Sequence, residues 1–136
     1  MALDRTLDAA RGGPLYFVRP EIASMVVASI HYQGDVMGRY ELHNYVVMAN
    51  HVHILITPLR SLSKVMQSLK RFTAREGNRM LGLTGQTFWA DESYDRLIRD
   101  REEFHRIARY IELNPVRAGL VAAPEKFRFS SAARAD

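Results

Sequence analysis

The sequence predicts an α+β fold, a small antiparallel sheet with helices over one face, and three observations carry the prediction. Two segments rich in β-branched and aromatic residues, Tyr40 to Met48 and His51 to Thr57, are separated only by Ala49-Asn50. Stretches on either side repeat their apolar residues at helical spacing. The composition, 47% hydrophobic and 25% charged over 136 residues, is that of one ordinary folded domain. A strand pair exposes an apolar face that amphipathic helices must cover, which gives the layered arrangement.

Taken in order, Leu3 to Ala10 has helical composition and stops at Gly12-Gly13-Pro14, a strong breaker. Leu15 to Val18 is a short apolar run. From Pro20 the residues Ile22, Met25, Val26 and Ile30 recur at helical spacing, so a helix runs to about Tyr32 and ends at Gln33-Gly34-Asp35. Tyr40 to Met48 and His51 to Thr57 form a hairpin, with Asn50 suited to positive φ at the turn. Ser61 or Ser63 can cap the next helix, whose apolar stripe is Leu62, Val65, Met66, Leu69 and Phe72 before Gly82 and Gly85. Phe88 to Ile98 reads as an aromatic-rich loop entering another strand. Glu102 to Leu113 is a helix with Phe104, Ile107, Ala108 and Ile111 on one face, ended by Pro115, which disfavours helical geometry at Asn114. Phe127 onward reads as a tail.

Composition excludes several kinds of chemistry. Cysteine is absent, so disulfides and thiolate metal sites are ruled out and any metal needs nitrogen and oxygen ligands. Met1 to Gly13 holds Asp4, Arg5, Asp8 and Arg11 without an apolar run, which is neither a signal peptide nor a membrane span. A cytoplasmic address and no membrane partner are the expectation. Nineteen Lys and Arg against fifteen Asp and Glu give +4, a weak indication of a polyanionic partner.

The most informative stretch is Asn50-His51-Val52-His53-Ile54. Side chains alternate faces along a strand, so His51 and His53 point the same way with Cα atoms roughly 6.5 to 7 Å apart. Two imidazoles can then converge on one ion, leaving positions open for oxygen donors as in a catalytic metal site. Decoration of a solvent face explains the spacing equally well. Tyr110 shares a helix face with Asn114 and precedes Arg117 by seven residues. It is displaced by roughly 110° from the apolar stripe, at the border of the buried face. A phenol with a pKa near 10 needs a nearby cation or base to act as a nucleophile at neutral pH, and a metal on the histidines meets that need. A boundary tyrosine with its hydroxyl in water is the plainer alternative.

Lys64, Gln67, Ser68, Arg71, Arg75 and Asn78 form a polar stripe on the middle helix, either a solvated face or a track for phosphates. Phe88, Trp89 and Tyr94 are either stacking surfaces for unpaired bases or core packing. Lys64, Arg71, Arg75, Trp89 and Arg117 are the candidate DNA contacts.

Val46 to Leu55, Phe88-Trp89 with Asp95 to Ile98, and Tyr110 to Val121 together resemble the REP-associated tyrosine transposases, of the HUH superfamily of single-tyrosine transposases. The similarity runs from about Leu3 to Ala132. It implies a ferredoxin-like domain that binds Mg2+ or Mn2+ through His51 and His53. It further implies that Tyr110 attacks single-stranded or hairpin DNA of repetitive palindromic sequence, forming a 5′-phosphotyrosine and releasing a 3′ hydroxyl. Asn114 is then a candidate third ligand, with capping of the helix before Pro115 as its alternative role.

Two departures from the family pattern stand out. Ala49 replaces a usual proline, which alters the turn. The relatives also begin with an extra strand before the region matching Leu3 to Gly13, beside the histidine strand, and without it His51 to Thr57 is an unpaired edge. The expectation is therefore a first strand that is missing through truncation or a misplaced start, or borrowed from Leu15 to Val18 or from a partner subunit in a homodimer. Two rival functions stay open: a domesticated protein that binds hairpins without cutting, and a phosphoesterase using water in place of Tyr110.

Overall fold

A computed structural model describes residues 1–9 and 16–133. The strands are β1 (Leu3–Ala9), β2 (Tyr40–Val47), β3 (His51–Pro58) and β4 (Trp89–Leu97), and the principal helices are α1 (Pro20–His31), α2 (Leu62–Leu81) and α3 (Arg101–Arg117). The strands lie in the order β2-β3-β1-β4 with every neighbouring pair antiparallel. Up to β4 this is the ferredoxin-like β-α-β-β-α-β arrangement. No helix among the described residues is long and apolar enough to cross a membrane.

The strand expected to be missing is present, in the segment read as a helix. Leu3–Ala9 pairs with β3 from Leu3 opposite Ile56 to Asp8 opposite His51, and on its other side with β4. Leu, Ala and Arg are good helix formers, but propensity is a small term per residue, and two sheet neighbours outweigh it. The pattern that matters has period two: Leu3, Leu7 and Ala9 are buried on one face, while Asp4, Thr6 and Asp8 alternate with them. The histidine strand is thus an interior strand, paired on both sides within this chain. The Gly12-Gly13-Pro14 breaker lies outside the described residues; Tyr16–Val18 is a single 3-10 turn, not a strand, and sends Phe17 into the core.

The two faces of the sheet carry separate cores. On one, Leu3, Leu7, Val52, Ile54 and Ile56 pack against Ile22, Val26 and Ile30 of α1 and Val65, Met66 and Leu69 of α2. This is the helical layer the sequence predicts. On the other, Val46, Leu55 and Ile98 pack against Ile107 and Ile111 of α3, so the third helix covers the opposite face. That addition sets α3 over the histidine-bearing side of β3, because His51 and His53 share a face with Leu55.

Local signals explain most boundaries. The Ser61 side chain accepts a hydrogen bond from the Lys64 amide at the start of α2, and Gly82 ends the helix with φ 70°. Pro115 does not end α3, which continues to Arg117 and finishes before Gly119 at φ 77°. Proline lacks the amide hydrogen and so gives up one backbone bond. Here it is buried on the packed side of the helix, where tertiary contacts hold the last turn. The segment from Phe127 is also no loose tail: the Val47 amide donates to the Phe129 carbonyl at 2.8 Å and the Ser131 amide to the Tyr45 carbonyl at 2.9 Å. It lies along the outer edge of β2 and satisfies backbone groups that an open edge would expose.

Candidate active site

The chemistry-bearing residues gather where α3 crosses β3. Strand alternation directs His51 and His53 to the α3 side; His53 is 7% exposed and His51 is half-buried. The Tyr110 ring stands edge-on to the His53 imidazole with centroids 6.1 Å apart, and the Arg117 guanidinium lies over the Tyr110 ring at 4.8 Å. Tyr110 is nevertheless 46% exposed, so a ligand can reach its hydroxyl. The i, i+7 spacing accounts for the stacking: two turns of helix bring Arg117 back above Tyr110.

Burial is the main cause holding His51 below the ordinary histidine range, Asp8 opposes it, and the neighbouring His53 reinforces it. A neutral imidazole is the form that offers a lone pair to a metal. Among the described residues no group of three or more histidine, aspartate and glutamate side chains stands close enough to hold a metal ion. His51 and His53 are the imidazoles that could face an ion here, and an amide oxygen, substrate or water could complete the set. That mixture of nitrogen and oxygen suits a divalent cation with open positions. Asn114 sits half-buried one turn beyond Tyr110, and its backbone carbonyl accepts from the Ala118 amide.

Glu112 anchors this helix to the sheet. Its Oε2 accepts from Asn44 Nδ2 at 2.7 Å and from Ser131 Oγ at 2.8 Å. A bulge between Leu42 and Asn44 is responsible, because the extra residue turns both His43 and Asn44 toward α3. There His43 bonds Thr57 Oγ1 at 2.7 Å and packs edge-on against Phe104.

The other candidate DNA contacts are not brought to this place. Lys64, Arg71 and Arg75 are exposed on α2, across the sheet from Tyr110. Asn78 of the same stripe is buried, with Nδ2 donating to the Gln86 carbonyl at 2.7 Å. Trp89 is corrected from a stacking surface to a core residue. It is 6% exposed, its indole N–H donates to Thr73 Oγ1 at 2.9 Å, and it packs against Phe17 and Phe88. A buried indole has no face to offer a base. Phe88 is buried likewise, and the Tyr94 side chain lies outside the described set.

One residue of the site escaped sequence reasoning. Asp4 on β1 accepts a hydrogen bond from the His53 imidazole at Nε2. The signal was available in the alternation of Asp4, Thr6 and Asp8 between buried neighbours, which places all three on the histidine face once the segment is read as a strand.

Residues 22–114 match the family model described as "Transposase IS200 like". Among solved structures, a REP-associated tyrosine transposase bound to a REP hairpin superposes with a TM-score of 0.72 at 18% identity, covering 96% of this chain and 75% of that one. A protein of Deinococcus radiodurans R1, provisionally assigned as a transposase, superposes with a TM-score of 0.57 at 21% identity over 81% of this chain and 88% of its own. None of the curated proteins matches the sequence.

Proposed function

Because this chain belongs to the IS200-like transposase family, we propose that it cuts and rejoins single-stranded DNA carrying a folded hairpin, with Tyr110 as the nucleophile. The observation that carries the reading is the ring of Tyr110 held between the His53 imidazole at 6.1 Å and the Arg117 guanidinium at 4.8 Å. The hairpin bound to the solved REP-associated transposase supports a hairpin as the partner here.

In this reading the Tyr110 oxygen attacks the phosphorus of a phosphodiester. A bond from tyrosine to the 5′ phosphate forms, the bond to the 3′ oxygen breaks, the phenolic proton passes to water, and the departing oxygen is protonated to a 3′ hydroxyl. Rejoining reverses the exchange: a 3′ hydroxyl of another strand attacks the phosphotyrosine and frees Tyr110. The covalent intermediate conserves the bond, so no nucleotide cofactor is needed. Arg117, beside the nucleophile, offsets negative charge that builds on the phosphoryl oxygens. His51 and His53, with Asn114 as an oxygen donor, would hold Mg2+ or Mn2+, which when bound supplies polarisation of the phosphate and stabilisation of the leaving oxygen.

A second reading is hairpin binding without cutting, for which the exposed Tyr110 ring and the Arg117 guanidinium stacked on it would serve as DNA contacts. The test is to incubate the protein with end-labelled hairpin DNA and Mn2+ and resolve the products on a denaturing gel. A covalent adduct that disappears in Tyr110→Phe and His51→Ala is expected. A mobility shift with no adduct means a binder only, and cleaved free DNA that persists in Tyr110→Phe means hydrolysis by water.

A further inference from the structure

The His53 imidazole is bonded to Asp4, a residue outside the segment 22–114 that matches the family model. Asp4 projects from β1 onto the α3 side of the sheet, where the register sets Thr6 directly opposite His53 and Asp4 opposite Leu55. Asp4 and His53 are thus diagonal neighbours on adjacent strands, a separation long side chains can bridge. The Asp4 carboxylate Oδ1 accepts from His53 Nε2, and both side chains are largely withdrawn from water, at 15% and 9% exposure.

That bond has a chemical consequence for the ring. A neutral imidazole carries one proton on two nitrogens, and an ionised carboxylate can only accept. In the neutral ring the bond to Asp4 therefore exists only with the proton on Nε2, and that form leaves Nδ1 as the nitrogen with a free lone pair. We propose that Asp4 is the positioning residue of the site, fixing the tautomer and ring orientation of His53 so that Nδ1 is the atom available to a divalent cation. This rests on the reading of His53 as a metal ligand. Carboxylate partners of metal-binding histidines act in this way, and their loss commonly weakens metal binding by about 10- to 100-fold.

The test uses the whole chain and two measurements. Nitrogen-15 spectra of the imidazoles, recorded without metal, report which nitrogen of His53 is protonated. The expected result is a single Nε2–H form in the natural protein and a mixture in Asp4→Val, which keeps a strand-forming side chain but removes the acceptor. Identical tautomer populations in the two proteins overturn the proposal. Mn2+ titration followed by electron paramagnetic resonance should then show affinity reduced by about 10- to 100-fold in Asp4→Val, against complete loss in His53→Ala. Complete loss in Asp4→Val as well overturns it, since the carboxylate would then be a direct ligand. If the natural protein binds no Mn2+, the metal-dependent reading of function fails while the spectra still decide the role of Asp4. Should Asp4→Val not fold, Asp4→Ala is read by the same spectra and the same criteria.

Discussion

Gly77→Ala sets two effects of opposite sign against each other in the seam between α2 and β4. Alanine in a helix interior is favoured over glycine by about 1 kcal/mol. The added Cβ, however, would sit 2.4 Å from Phe88 Cε1 and 2.7 Å from Cζ, about 1 Å inside ordinary contact. Phe88 cannot swing away: it is 1% exposed, with the Phe17 ring centroid at 6.0 Å and that of Trp89 at 5.1 Å. Overfilling a packed core costs about 1 to 3 kcal/mol, and a ring wedged between two others belongs at the upper end. The net expectation is a loss of about 2 kcal/mol, or a melting temperature lower by about 6 to 8 °C for a domain of this size. Thermal and urea unfolding followed by far-UV circular dichroism measure it. The double variant with Phe88→Leu isolates the cause, because Gly77→Ala should become neutral or stabilising in that background. A melting temperature that stays level or rises in the single variant refutes the steric argument and leaves helix propensity in command.

Three further outcomes follow from the site side of the sheet. Glu112→Ala removes an anionic acceptor shared by Asn44 and Ser131 and should cost about 2 to 3 kcal/mol in urea unfolding; a change below about 0.5 kcal/mol would remove it from the anchoring of α3. His43 and His51 are both held below the ordinary histidine range, chiefly by burial, so the folded chain binds fewer protons than the unfolded one. Stability should therefore be full above about pH 6.5 and decline as the pH falls from there, with a shallower decline in His43→Asn; an unaltered slope in that variant contradicts the assignment. Arg117→Gln should slow adduct formation by about 10- to 100-fold, whereas Arg71→Gln combined with Arg75→Gln, across the sheet, should change affinity for an isolated hairpin stem by less than about twofold. Equal losses in fluorescence anisotropy and gel assays would mean that DNA engages both faces.

The sequence was most legible where one local signal sufficed. The two-residue turn fixed the β2–β3 hairpin, Ser61 and Gly82 bounded α2, and the apolar periodicity of α1 and α3 matched the faces they bury. It was least legible where distant pairing decides the outcome. Leu3–Ala9 contains ordinary helix formers, and only its partnership with β3 and β4 makes it a strand. Pro115 looked like a terminator because the tertiary support for the last turn of α3 is not encoded near it. The motif spacing singled out His51, His53 and Tyr110 as candidates, and the fold brings His53 and Tyr110 together, but the spacing did not give the layer in which α3 lies, so it could not separate Arg117, beside the tyrosine, from Lys64, Arg71 and Arg75 behind the sheet. Asp4 was lost with β1, and Trp89 was misjudged because aromatic composition does not distinguish a platform from a core.

The place of β1 between β3 and β4 also governs the order in which this chain can assemble. Leu3 pairs with Ile56 on one side and Leu97 on the other, so the middle of the sheet waits for segments made much later. Such long-range closure is slow, and it leaves the buried-to-be Leu3 and Leu7 and one unpaired edge of β1 unprotected on the ribosome until β4 has emerged. Nascent chains arrested before Trp89 should accordingly be captured by chaperones, and release should coincide with synthesis of the segment that completes the second side of β1.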